Sequence, residues 1–252
     1  MNNIKREPCF KIARKGKNCI TSFMKFQLRL LIVFLSLFQS SYGQPNGFRN
    51  LFNGADLTGW WGLSTENPAS WINLPKSELA KKQKDSLLDI QKHWRVEEGI
   101  LINDGHGLYL TTLDHFSDFI LLLDYKTVAK ADSGVYLRGY PQVQIWDTTE
   151  SGGKWRFGAK AGSGGLWNNR PQKGWSPLTH ADLPFGEWNG LKIQMIGNTV
   201  SVWLNEKLVV DQSTLLNYWK KSGPILPSGP IQLQTHGGEI RWRNIFIKEI
   251  ES

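Results

Sequence analysis

From residue 94 onward, apolar and polar side chains alternate with a period of two in one short segment after another, and Gly, Asn and Asp fall between the segments. Successive side chains on an extended strand point to opposite faces, so this pattern makes strands with one buried face and rules out a helical domain. Trp94-Arg95-Val96-Glu97 and Ile100-Leu101-Ile102 read as a hairpin about Glu98-Gly99. Residues 107–112 follow, and residues 119–127, mostly apolar, read as a central strand. Segments 134–138, 142–146, 190–197, 199–204, 207–211, 231–235 and 241–250 complete the series, with Gly197-Asn198 and Asn205-Glu206 as turns. Roughly a dozen short strands over about 160 residues predict an all-β domain of two stacked, curved sheets of the jelly-roll kind.

Two stretches depart from this pattern. Residues 76–92 carry Leu79, Ala80, Leu87, Leu88 and Ile90 among many Lys, Gln and Asp, with no Gly or Pro. They predict a short helical insertion on the rim, as one helix or two, starting near Pro75 or Ser77. Residues 152–185 are rich in Gly, Asn, Trp and Pro and read as one long loop, a length usually kept for function.

The N-terminus predicts export. Lys25 and Arg29 precede or open the apolar run of residues 28–38, and Ser41-Tyr42-Gly43 supplies small residues before Gln44. Basic start, short apolar core and small-x-small site are the parts of a signal peptide, here residues 1–43, with residues 1–23 readable as an overlong start before Met24. The run is well short of the roughly 20 residues that span a bilayer, so no stable membrane anchor is expected. The expected mature domain is residues 44–252, periplasmic or extracellular.

Removing the leader removes most of the charge. Of 30 Lys and Arg and 22 Asp and Glu, eight basic and one acidic residue lie in 1–43, leaving 22 against 21. A nucleic-acid partner, which needs a basic surface, loses its support. Cys9 and Cys19 also lie in the leader, so disulfides, thiolate nucleophiles and Cys-ligated zinc are excluded from the mature domain. All 12 Trp lie after residue 43, and a flat apolar face with an N–H edge suits stacking on a sugar ring.

The period of two also sorts the strands' faces. Val135 and Leu137, Val143 and Ile145, and Ile231 and Leu233 fall on apolar faces. The opposite faces carry Tyr136 and Arg138; Gln142, Gln144 and Trp146; Gln232, Gln234 and His236. Flat area combined with directed donors and acceptors is what a polyhydroxylated ring requires. His236, at a strand end beside Gly237-Gly238, has the side chain whose pKa lies nearest neutrality and is a candidate acid or base. Asp147 ends its strand, where it either caps a turn or orients a partner. Asp124 lies within an apolar strand and must be paired or face the polar cleft, with Arg138 as the candidate partner. Asn103-Asp104-Gly105-His106 reads as an ordinary turn.

Several ordered blocks resemble one family: Leu51-Phe52-Asn53-Gly54-Ala55-Asp56-Leu57-Thr58-Gly59-Trp60, residues 132–138, residues 142–147, Gly186-Glu187-Trp188-Asn189, Gln234-Thr235-His236-Gly237 and Arg243-Asn244-Ile245. This is the family formerly called domain of unknown function 1080, associated with 3-keto-glycoside lyases, hydratases and 3-keto-disaccharide hydrolases. The resemblance runs from about Gly47 to Ile250. It implies a concanavalin/LamG-like two-sheet jelly roll and cleavage of glycosides already oxidised at C3. A C3 ketone acidifies the C2 hydrogen; a base removes it, the C1 substituent leaves and water adds to the product. Such chemistry needs a base, a group for the enolate oxygen and an acid for the leaving group, and a divalent cation is one way to hold the enolate.

By residue type and strand face, the candidates for these roles are His236 as base or acid, Arg138 to hold the oxyanion, and Asp124 and Asp147 to orient His236 or Arg138 or to ligate a metal. Tyr136, Gln142, Gln144, Trp146 and Gln234 bind the sugar, and Trp167 or Trp175 in the long loop covers it. Relatives often carry Glu at the places of Gln142 and Leu216, so this chain departs from the pattern at two carboxylates. That keeps a non-catalytic, lectin-like module on the same face as the alternative, and a purely structural interaction domain as a third class. An enzyme should show a perturbed titrating pair in the cleft; a lectin, stacked Trp faces without one; an interaction domain, an exposed apolar patch.

Overall fold

The computed structural model describes residues 43–251, so the expected signal peptide, but for Gly43, lies outside the described residues. The strands are β1 (Arg49–Asn50), β2 (Trp60–Leu63), β3 (Trp94–Glu97), β4 (Ile100–Asn103), β5 (Tyr109–Thr112), β6 (Phe119–Thr127), β7 (Asp132–Leu137) and β8 (Tyr140–Trp146). After the long loop come β9 (Asn189–Ile196), β10 (Thr199–Leu204), β11 (Lys207–Thr214), β12 (Ile231–Leu233) and β13 (Ile240–Glu249). They form two antiparallel sheets. The larger runs β11-β10-β9-β6-β13-β4-β3, with β1 also on β13; the smaller runs β2-β5-β12-β7-β8. This is the all-β two-sheet sandwich that the alternation predicts.

Burial follows the period of two. In β6, Phe119, Leu121, Leu123 and Tyr125 are buried while the residues between them are half-buried. Leu121, Leu123, Ile193, Val202, Trp242 and Ile247 of the larger sheet share one core with Leu110, Val135, Leu137, Val143, Ile145, Ile231 and Leu233 of the smaller. Burying one such side chain contributes about 1.5–3 kcal/mol, so this layer holds the sheets together without disulfides. Trp60, Trp94 and Trp242 belong to this core, and Trp61 and Trp71 to a second cluster, so much of the Trp content serves packing.

The expected helix is one continuous element, α1 (Lys76–His93), that starts after Pro75. It packs on β2 through Ser86 and Ile90, and Ser86 Oγ accepts from Gly62 N at 2.8 Å. A Cβ at Gly62 would stand 2.8 Å from Ile90 Cγ2, so only glycine lets the helix come this close. Among the described residues no helix is long and apolar enough to cross a membrane.

β7 and β8 meet at a two-residue turn. Leu137 pairs with Tyr140, and Arg138 and Gly139 both have positive φ, 54° and 77°. That is the type I′ signature, whose twist suits a hairpin.

Candidate active site

The outer face of the smaller sheet is not solvated. Residues of the long loop and of the β11–β12 connection cover it and leave a cleft of about 310 Å³, at the lower end for small-molecule sites. Tyr109 comes from β5, Asp132 and Tyr136 from β7, Gln142, Gln144 and Trp146 from β8, and Gln234 and His236 from the segment after β12. Lys154, Phe157, Trp167 and Asn168 of the loop, and Tyr218 opposite, form the walls.

Two hydrogen bonds across β7 and the segment after β12 set the register that builds the site. Gln234 N donates to Gly134 O at 2.9 Å, and Asp132 N donates to Gly237 O at 3.0 Å. Gly237 N in turn donates to Gly105 O, and a Cβ at Gly238 would stand 2.8 Å from Ala131 Cα. The Gly237-Gly238 pair, at φ 102° and 77°, therefore passes close to two other chain segments and carries His236 against Asp132. The Asn103–His106 turn supports this segment, with the Thr235 hydroxyl donating to Asn103 Oδ1 at 2.7 Å.

The chemistry centres on Asp132. Its Oδ2 lies 3.0 Å from His236 Nδ1 and 2.8 Å from Lys154 Nζ, while its Oδ1 accepts from Gln144 Nε2 at 2.8 Å. Burial pushes the Asp132 carboxyl up, but the hydrogen bonds and charges of His236 and Lys154 outweigh it and hold the pKa below the ordinary carboxylate value. The hydrogen bond to Asp132 raises His236 above the ordinary imidazole value, against partial burial and the Lys154 charge. Nδ1 is engaged and the His236 side chain is 54% exposed, so Nε2 is the ring nitrogen left for a ligand.

Amides extend the network from the other side. Asn168 Nδ2 donates to Gln142 Oε1 at 3.1 Å, and Gln142 Nε2 donates to Gln144 Oε1 at 2.6 Å. Each amide turns its donor toward Asp132, which favours the ionised carboxylate. Tyr109 and Tyr136 rings lie 5.4 Å apart on the floor, and burial pushes the Tyr136 hydroxyl far above its ordinary value, so it stays neutral. Trp146 and Trp167 meet edge to face at 6.1 Å.

Among the sequence-derived residues, the cleft unites His236, Tyr136, Gln142, Gln144, Trp146, Trp167 and Gln234. Five others stand elsewhere. Arg138 is 2% exposed and donates to Ser117 O, Leu226 O and Asp118 Oδ1. Its positive φ in the turn breaks the alternation that placed it beside Tyr136. Asp124 lies in the other sheet, where its Oδ2 accepts from Arg243 Nε and Asn244 Nδ2 at 3.0 and 2.8 Å; Arg138 is not its partner. Asp147 caps a turn, accepting from Lys130 N, Thr149 N and Thr149 Oγ1 at 2.6–2.8 Å. Trp175 lies outside the cleft lining, in an adjoining recess, with the Arg170 guanidinium 3.9 Å from its ring centre. Gln232, on the expected polar face, donates to Thr111 Oγ1 at 3.1 Å instead of reaching the cleft. Of the two departures from the family pattern, Gln142 lines the cleft and Leu216 does not.

The sequence reading missed Asp132 and Lys154. Asp132 has a signal: it shares strand parity with Gly134 and Tyr136, two residues before the expected start of β7. Lys154 has none, because a loop carries no period.

A resident divalent cation does not fit this donor set. Asp132 already accepts from three donors, and no group of three or more His, Cys, Asp or Glu placed to hold a metal occurs among the described residues.

Comparison with known proteins bears on the whole domain. A family model described as 3-keto-alpha-glucoside-1,2-lyase-like domain matches residues 47–248. No curated protein matches the chain. Among solved structures, one named "putative glycosyl hydrolase" from Parabacteroides distasonis superposes with a TM-score of 0.56 at 21% identity, covering 81% of this chain and 94% of that one. A second of the same name and organism gives 0.56 at 23% identity, covering 81% and 84%. At these identities the likeness shows a shared fold.

Proposed function

The chain belongs to the 3-keto-alpha-glucoside-1,2-lyase-like domain family, and from that premise we propose that it removes the C2 proton of a 3-keto-glycoside and expels the C1 substituent. The observation that carries this reading is the His236–Asp132 pair at 3.0 Å, open to the cleft through Nε2. Asp132 fixes the tautomer with Nδ1–H, and Nε2 takes the C2 proton. The C–H electron pair becomes the C2=C3 bond of an enolate. The enolate then re-forms the ketone, a C1=C2 bond appears, and the C1–O bond breaks. The His236 imidazolium returns its proton to the departing oxygen. Addition of water across C1=C2 completes net hydrolysis.

In this reading Tyr136, Gln142 and Gln234 bind the hydroxyls and Trp146 and Trp167 the ring face, supported by their common place in the cleft lining. A lectin-like module on the same face needs the aromatics and amides but no titrating pair, so the pair favours the enzyme. The test is incubation of residues 44–252 with a panel of 3-keto-glycosides, following aglycone release. Saturable binding of the same sugars with no release from any of them would favour the lectin-like module instead.

The dyad also sets the pH dependence. Because Asp132 raises the pKa of His236, kcat/KM should fall on the acid side with a midpoint above the ordinary imidazole value of about 6.5. In Asp132→Asn that midpoint should move to lower pH and kcat should drop about a hundredfold or more. A pH profile that the substitution leaves in place would show that His236 is not the titrating base.

Export is part of the same proposal, supported by the basic, apolar and small residues across positions 25–43. The mature protein should have the mass of a chain starting at Gln44. A full-length chain recovered from the cytoplasm would sink this.

A further inference from the structure

Expulsion of the C1 substituent passes through an enolate whose negative charge sits on the C3 oxygen. Arg138, the cation expected for that charge, is locked in the β7–β8 turn away from the cleft. Lys154 is the one Lys or Arg among the cleft-lining residues. Its ammonium shares Asp132 Oδ2 with His236 Nδ1, at 2.8 and 3.0 Å. Its backbone is pinned, since Lys154 O accepts from Phe157 N at 2.9 Å and from Ala159 N at 3.2 Å. Its side chain is 35% exposed and has Asp132 as its ion-pair partner. A long flexible stem on a fixed base lets the ammonium move without moving the loop.

We propose that Lys154 is a catalytic residue that exchanges Asp132 for the C3 oxygen of the substrate as His236 takes the C2 proton. This rests on the lyase reading above. One carboxylate oxygen serves two donors. While His236 is neutral, Lys154 supplies the positive charge beside Asp132. When the proton passes from C2 to Nε2, the imidazolium itself neutralises Asp132. The ammonium is then released to the enolate oxygen, and no net charge enters or leaves the cleft. When His236 gives its proton to the leaving oxygen and the ketone re-forms, Lys154 returns to Asp132. The charged groups facing His236 in the cleft are Asp132 from β7 and Lys154 from the loop, and the tyrosine hydroxyls there are those of Tyr109 and Tyr136 on the floor and Tyr218 on the wall.

The test compares wild type, Lys154→Met and Lys154→Arg on a 3-keto-glycoside, with C2–H exchange in D₂O and His236 titration by NMR. Loss of one preorganised donor to a developing oxyanion costs about a hundredfold or more in kcat. Lys154→Met should lose that much in aglycone release and in C2 exchange, with KM changed less than threefold. Lys154→Arg should recover at least tenfold of the loss. The His236 midpoint should rise in Lys154→Met, because a competing cation has left Asp132. A Lys154→Met protein within threefold of wild-type kcat, or an unmoved His236 midpoint, would overturn the assignment alone. A wild-type protein that neither exchanges the C2 proton nor releases aglycone would overturn the lyase reading and the assignment with it.

Discussion

His236→Ala should lower aglycone release from a 3-keto-glycoside by about a thousandfold or more while leaving the fold intact, since positioned acid–base groups contribute about 10²–10⁴-fold and this one serves in both steps. The side chain is 54% exposed and its described side-chain hydrogen bond goes to Asp132, so its removal costs the core nothing. Asp132 keeps Lys154 and the Gln144 amide as partners and is not left as an uncompensated charge. The thermal midpoint should stay within about 2 °C, the scale of a sub-kcal/mol change in a domain of this size. Rates and a melting curve on the same preparation check both halves. A variant within tenfold of wild type and unaltered in stability would remove His236 from the chemistry.

Arg138→Met should do the reverse, lowering stability by about 3 kcal/mol, or roughly 10 °C in Tm, with kcat nearly unchanged at a temperature where the variant is folded. The guanidinium ties the turn to Ser117, Asp118 and Leu226, and so fastens the start of β6 and the β11–β12 connection to β7. Removing it leaves the Asp118 carboxylate without its 3.0 Å cation and two carbonyls without donors, each a desolvation cost of about 1–3 kcal/mol. Unfolding in denaturant measures the loss. If stability held and kcat collapsed, Arg138 would be the oxyanion group after all, and the placement of Lys154 would be wrong.

The contrast between these two residues shows what alternation can and cannot reveal. It sorted Val135, Val143, Ile145, Ile231 and Leu233 into the core and Tyr136, Gln142, Gln144 and Trp146 onto the cleft, because strand geometry makes side-chain direction a matter of counting. Counting fails where φ turns positive, as at Arg138. It is also blind to the neighbouring strand: Arg243, which pairs with Asp124, lies opposite it in the β6–β13 register but 119 residues away in the chain. The family resemblance supplied the chemistry but not the atoms, and two carboxylates chosen by residue type and position, Asp124 and Asp147, hold structure together instead. Lys154 emerged only once the loop was folded over the sheet.

The strand order also has a consequence for how the molecule comes into being. In each sheet a late strand is inserted between early ones: β12 separates β5 from β7, and β13 separates β6 from β4. A ribosome that has finished residue 230 has therefore made most of the hydrophobic core, yet neither sheet is continuous, and four strand edges wait unpaired. Such edges invite pairing with other chains. Addition of β12 and β13 closes both gaps and, with the segment between them, delivers His236 to Asp132. Folding and the acquisition of activity should thus be a single late step, and a chain stopped shortly before β12 is better described as an aggregation hazard than as a smaller domain.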